Sequence, residues 1–600
     1  MADSGKINTT FSENLLEKLR SIVIKMMDIG EYKTALYWSN KILSYPNHDK
    51  TDVYKQAKCL YHLKEYHRAS HCIKSRHFHE VDLACRYLAA KSHYAAEEYK
   101  EAFEILDVGE NYGTLKKMEF ELETCEENRQ LESSVCLLKG HIYEALDNRS
   151  EAVDWFKKAL LLDAYCYEAL EALVQHQMLN KQEEEDLLNS IRFENQCDKD
   201  EARLIKFLYQ SSLKKYAKPD ELKIPVDFSN FLSDNVDILT SLAERHYYNC
   251  DFHQCIQLTN KVLKDDIYHT QCLPIHISCL MELQKTNLLF DLGHKLVDLY
   301  PESATSWYAV GCYYLMINKM DAARRFLSKA TTLDNVFGPA WLLYGHSFAI
   351  ESEHDQAMAA YFKASHLMKG CHLPLLYIGL EYGLTDNNKL AEKFFQQALA
   401  IAPNDPFVLH ELGVISYQIQ EYTTAYKHFT SALNLIRDKQ DATCLPEKWE
   451  PLINNIGHVL RKLKKYEESL EYHKQALVLS PLNPSTYSAI GFVYAWMKQY
   501  RNAVNYFHKA LALKRDDQCA KTMLDKCMEH LSTEISLLDD ELPIYESEAY
   551  MKKYLASSNL NEESSTDDQL LDDNDLERSL SENETENNAS GLDVEMDLSP

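Results

Sequence analysis

Between Pro301 and Pro406, apolar and small residues recur at helical spacing, and the whole pattern returns every 34 positions. Trp307, Val310, Gly311 and Tyr314 are followed by Ala323, Leu327 and Ala330. Trp341, Tyr344, Gly345 and Phe348 precede Ala357, Tyr361 and Ala364. Leu375, Ile378, Gly379 and Tyr382 precede Ala391, Phe395, Ala398 and Pro403. Apolar positions three and four apart mark one face of a helix, so each copy predicts two helices. Small residues at the glycine and alanine positions let the first helix lie close against the second. The aromatic positions fill the gap between copies. The late proline stops the second helix, because it donates no backbone hydrogen bond and restricts its predecessor.

A period of 34 with this order of residues is the tetratricopeptide signature, two antiparallel helices per repeat. One hairpin cannot bury its apolar face alone, so the repeats must stack into an all-α superhelical solenoid. From 236 the phase is strict, with repeats starting near 236, 270, 304, 338, 372 and 406. Ten extra residues follow around 437–448, and repeats resume near 450 and 484. Gly311, Gly345, Gly379, Gly413, Gly457 and Gly491 mark the tight helix contact in six repeats, out of only 16 glycines in the chain. Gly140 takes the same place in a seventh.

The N-terminal part, 11–216, reads as degenerate repeats. Leu15, Leu16, Leu19, Ile22, Val23 and Met26 open a hairpin that turns at Gly30 and closes at Pro46. Residues 108–132, with Gly109, Gly113 and an acidic run, read as a surface insertion. The repeat returns at 133, and 217–235 reads as a connector to the C-terminal repeats, 236–517. Residues 518–556 hold a capping helix, which covers the last apolar face. Residues 557–600 read as a disordered acidic tail. The last forty residues hold 14 Asp and Glu against one Arg, and no aromatic residue.

The net charge of −28 argues against a nucleic-acid partner, which needs a basic footprint. No apolar run is long enough to span a membrane, and the N-terminus lacks the pattern of a secretory signal. Sixteen cysteines without a C-x-x-C pair read as reduced thiols. The sequence holds no phosphate-binding, nucleophile-elbow or zinc-protease motif, so no catalytic, cofactor or metal residues are expected. His246, Cys250, His253 and Cys255 resemble a metal set but fall where one repeat turns, and they read as structural. So do His62, His67, His71, His77 and His79.

In such arrays the first helix of each repeat lines the concave surface, through positions 2, 5, 9 and 12. Counting gives Tyr308 and Cys312, Leu342 and His346, Leu376 and Leu380. It continues with Phe407, His410, Val414 and Tyr417, then Asn454, His458 and Arg461, then Ser488 and Phe492. The middle of this surface is apolar, and its C-terminal part can hydrogen-bond a peptide backbone or an acidic group. It lacks the Lys and Asn pairs that clamp a C-terminal carboxylate, which counts against a free-standing peptide-binding adaptor or chaperone cofactor. An extended or helical segment with apolar anchors fits it better.

Several blocks resemble the subunit 6 family of the anaphase-promoting complex (cyclosome), also called the cell division cycle protein 16 family. They include LACRYLAAKSHYAA at 83–96, SWYAVGCYYL at 306–315, GPAWLLYGHSFAIESEHDQAMAAYF at 338–362 and KWEPLINNIGHVLRKLKKY at 448–466. The resemblance runs from about residue 11 to 517. It implies a non-catalytic scaffold of a multisubunit ubiquitin ligase that controls mitotic progression and exit. It implies a homodimer through hairpins in about 11–170, and a small accessory subunit of the cell division cycle protein 26 type in a groove over about 270–515. It also implies contacts with sister tetratricopeptide-repeat subunits, and a place in the nucleus and cytoplasm and on the mitotic spindle.

Overall fold

The computed structural model describes residues 3–44, 49–107, 126–213, 215–225, 227–439 and 445–535. The predicted tail, Pro46, most of the 108–132 insertion and the end of the capping region lie outside these. Among the described residues every regular element is a helix. The repeats predicted from 236 appear as pairs: Val236–Tyr248 with Phe252–Asp265, Cys272–Glu282 with Thr286–Leu299, and Ala304–Met316 with Met320–Leu333. Gly338–Ala349 pairs with His354–Leu367, and Leu373–Leu384 with Asn388–Ile401. The helix reopening the array after the insertion is described from Glu126, so it already covers the seven residues before the predicted 133.

Two compact units result, one ending at Asp405 and one beginning at Pro406. The second holds Pro406–Gln418 with Tyr422–Lys439, Glu450–Lys462 with Tyr466–Leu479, and Pro484–Trp496 with Tyr500–Leu513. Gln518–Ile535 packs on the last pair, where Ala520 and Cys527 join Phe492, Ala503 and Phe507 in one cluster. The predicted connector is itself packed. Leu222, Ile224 and Phe228 lie against Phe207, Leu232 and Ile238.

The hairpin turns explain the strict period. Cys250, Gln284, Asn318, Ser352, Asp386 and Gln420 stand 34 apart and all have positive φ, as do Lys464 and Lys498 beyond the ten extra residues. Each sits at the end of a first helix in a left-handed conformation. The next amide then donates back to a carbonyl of the last helical turn: Asp251 N to His246 O at 2.9 Å, Lys319 N to Tyr314 O at 3.0 Å, Gln499 N to Tyr494 O at 2.9 Å. This is a Schellman closure, and it normally favours glycine. Here the glycines are used elsewhere. A Cβ on Gly140, Gly311, Gly345, Gly379, Gly413, Gly457 or Gly491 would fall 2.4 to 2.8 Å from the side chain sixteen positions on. Those side chains are Phe156, Leu327, Tyr361, Phe395, Phe429, His473 and Phe507. The loops between repeats are pinned the same way in successive copies. Trp307 Nε1 donates to Pro301 O at 2.7 Å, and Trp341 Nε1 to Asn335 O at 3.1 Å.

Candidate functional site

In the first unit the predicted concave residues are largely packed. Tyr308 is buried, and its hydroxyl lies 2.9 Å from Ser278 Oγ. Cys312 is buried in the same cluster, and Leu342 is buried in another, with Phe348, Tyr361 and Ile378. His346 Nδ1 lies 2.7 Å from the Tyr361 hydroxyl, and its ring meets Tyr377 edge-on at 4.2 Å. Burial lowers its pKa to about 4, so it is a neutral imidazole. Leu376 is buried and Leu380 half-buried.

A cavity of about 310 Å³ lies nearby, and none of these residues lines it. Its walls include Glu171, Gln177, Glu244, Tyr248, Ser278 and Asp334. Three of these are carboxylates, and no Lys or Arg is among its lining residues. Burial pushes the Glu244 carboxyl up, and Lys215 and Arg245 partly offset this. The same positional count applied to the repeats at 236 and 270 gives eight residues, of which Thr240, Glu244, Tyr247, Gln271, Pro274 and Ser278 line the cavity and Asp237 and Met281 do not. The count from 304 onward does not include them.

In the second unit the predicted residues converge on a polar layer. Asn455 Nδ2 donates to His410 Nε2 at 3.0 Å, and His410 Nδ1 donates to Glu411 Oε1 at 2.8 Å. His473 Nδ1 donates to Asn454 Oδ1 at 2.7 Å. The His458 and His473 rings meet edge to face at 5.0 Å. The Arg461 guanidinium lies 5.7 Å over the Phe492 ring. All of these side chains are at least nine-tenths buried. Burial, helped by Arg461, lowers the His473 pKa to about 3, and His458 falls well below its ordinary value. Glu411 Oε2, His458 Nδ1 and His473 Nε2 are buried without a hydrogen-bond partner. Buried polar atoms are almost always paired, and these three are enclosed within the layer. Val414 is buried, Tyr417 meets Tyr422 edge to face at 5.3 Å, and Phe407 meets Trp449 at 4.6 Å. Ser488 Oγ donates to Asp517 Oδ2 at 3.1 Å.

The metal-like set is distributed within one hairpin. His246 Nδ1 lies 3.1 Å from Asp251 Oδ2, Cys250 forms the left-handed turn, and Cys255 fills the small position of the second helix. Hydrogen bonding to Cys279 and burial keep the Cys255 thiol protonated.

The chain is 53% identical over 528 residues to the human cell division cycle protein 16 homolog, covering 86% of this chain and 84% of that protein. The chain belongs to the cell division cycle protein 16 family. The anaphase-promoting complex subunit 6 of Arabidopsis thaliana is 38% identical, over 88% of this chain and 99% of that protein. The crystal structure of the anaphase-promoting complex hetero-tetramer Cut9-Hcn1 superposes with a TM-score of 0.74 at 32% identity, over 85% of this chain and 96% of that one. Residues 28–108 match the model of anaphase-promoting complex, cyclosome, subunit 3. Tetratricopeptide-repeat models match 133–166, 304–337, 452–480 and 485–516. Members of the cell division cycle protein 16 family are thus similar to this chain across both units, including the blocks that hold the cavity and the polar layer.

Proposed function

We propose that this protein is a non-catalytic scaffold subunit of the anaphase-promoting complex, the ubiquitin ligase that controls mitotic progression and exit. The observation that carries this reading is the 53% identity to a cell division cycle protein 16 homolog along both repeat arrays. The geometry supports a role in holding other chains. The cavity of the first unit offers carboxylates and hydroxyls. It is a seat for an extended segment of a small accessory subunit of the cell division cycle protein 26 type. Hcn1 accompanies Cut9 in the hetero-tetramer crystal structure, which supports an accessory chain here.

The protein forms a homodimer through its N-terminal hairpins and meets sister repeat subunits in the nucleus and cytoplasm. Leu15, Ile24, Ile29 and Tyr37 are exposed on the first hairpin, and they supply apolar area for the dimer contact. Mass spectrometry of the protein purified mildly from dividing cells tests the assignment. Co-purification of other subunits of the ligase is expected, and chaperones in their place would favour the free-standing adaptor. Light scattering tests the dimer. The intact chain is expected at twice its monomer mass, and a chain lacking residues 1–130 at the monomer mass.

A further inference from the structure

A solenoid repeat ordinarily touches only its neighbours along the chain. The first unit departs from this most widely along one seam. Arg149 Nη1 donates to Leu367 O at 2.6 Å, across 218 positions. Lys363 Nζ lies 3.0 Å from an Asp147 carboxylate oxygen. Gly370 N donates to Gln177 O at 2.7 Å. His372 N donates to the Tyr216 hydroxyl at 3.1 Å, and that hydroxyl lies 2.9 Å from His372 Nδ1. One short strap, 363–372, makes all of these contacts with residues that lie from about four and a half to about six and a half repeats earlier in the chain. The array has come round far enough for its edges to meet.

The seam is held differently from a repeat interface. Adjacent helices share whole apolar faces, as in the cluster from Ala243 to Leu343. The strap instead relies on a few hydrogen bonds, one of them between backbone atoms, one ion pair, the edge-on rings of His372 with Tyr216 and Tyr248, and a small apolar contact of Leu367, Met368 and Cys371 with Tyr248 and Trp341. Its closest approach needs a glycine. A Cβ at position 370 would fall 2.2 Å from Leu179 O, a backbone atom that cannot swing away. The opposing residue, Gln177, has φ 48 and also donates its side-chain amide to the Tyr248 hydroxyl at 2.7 Å. Gln177 and Met368, one from each side of the seam, both line the cavity. With so few contacts, the seam has less to lose on opening than a repeat interface that shares whole apolar faces.

We infer that the strap 363–372 is a gate, whose opening admits a chain segment sideways into the cavity and whose closure retains it. The gate's purpose rests on the reading of the cavity as a seat for a partner segment. The opening itself requires no partner. The test places a reporter thiol in the cavity wall, Thr305→Cys, in the full chain. Its labelling by N-ethylmaleimide is compared with labelling by a polyethylene-glycol maleimide, with the parent chain as background. The polymer reagent is expected to label at least about tenfold more slowly than the small one, because it waits for the strap to open. Gly370→Ala is expected to raise the polymer rate about tenfold and leave the small-reagent rate within about twofold. Lys363→Glu, which sets a like charge against Asp147 without touching the core, is expected to act in the same direction. Swapping the pair, Asp147→Lys with Lys363→Glu, restores opposite charges at the seam and is expected to return the polymer rate to that of the chain carrying only the reporter. Polymer labelling that is unchanged by Gly370→Ala and by Lys363→Glu would show that access is along the axis and would overturn the gate. None of these rates depends on which accessory chain binds, so loss of the partner reading and loss of the gate give separate results.

Discussion

The imidazole of His473 rests on Gly457, where a Cβ would fall 2.5 Å from its Cε1. The repeats before and after place Phe429 and Phe507 in this position, over Gly413 and Gly491. The second unit has therefore put a titratable ring into a slot that is otherwise aromatic and apolar. Its Nδ1 is paired with Asn454, and its Nε2 has no partner.

This substitution makes stability depend on pH. His473 is held down to about 3, and His276 and His346 to about 4, in each case chiefly by burial. The unfolded chain binds these protons near the ordinary value of 6.5, and the folded chain does not. Stability is therefore full above about pH 6.5 and falls as the pH drops toward 4. Each group can cost up to about 1.4 kcal/mol per pH unit within that window. The urea midpoint is expected to be flat between pH 7 and 8 and to fall between 6 and 5. His473→Phe should make that fall shallower, and an unchanged slope would show that this ring does not titrate on unfolding.

Gly379→Leu tests the glycine–ring contact, because its Cβ would lie 2.5 Å from Phe395 Cε1. Overpacking at such a site costs on the order of 1–3 kcal/mol. A lower denaturant midpoint with the same steepness is expected. No shift would mean that the two helices can part at little cost.

Two substitutions probe the left-handed turns from opposite directions. Lys498 has φ 60, and Lys498→Gly is expected to raise stability by up to about 1 kcal/mol through relief of backbone strain. Gly30 has φ 87 and no neighbour within 4 Å of a built Cβ. Gly30→Ala should therefore lower stability by about 1 kcal/mol, from the backbone alone. Thermal denaturation of both variants measures the pair.

Leu380→Asp probes the concave surface of the first unit. Leu376 is 4% exposed, so a charge there would act on folding first. Leu380 is half-buried and is the cleaner site. Co-expression with the accessory subunit is expected to yield less complex, with the dimer intact by light scattering. Undiminished co-purification would remove Leu380 from the binding surface.

The glycine positions were legible in the sequence because each governs a contact sixteen residues away, within one hairpin. The turns were half legible. Gly30 was visible as a turn, whereas Cys250, Gln284 and Asn318 carry no turn signature and are held left-handed by the closure around them. His410, Asn454, His458 and Arg461 were picked by position as a surface. The structure gathers them into a buried layer, and that burial depends on helices 45 positions apart packing together.

The sequence by itself determined the helical pairs, their period and the family. Each pair is closed by residues within a few turns of one another, so local pattern suffices. Tertiary structure alone decided that the array breaks into two units at Asp405 and Pro406, and that Arg149 reaches Leu367. The reach of Arg149 depends on small rotations accumulated from one repeat to the next within the first unit. No single repeat encodes that sum, and it becomes definite only when the faces have packed.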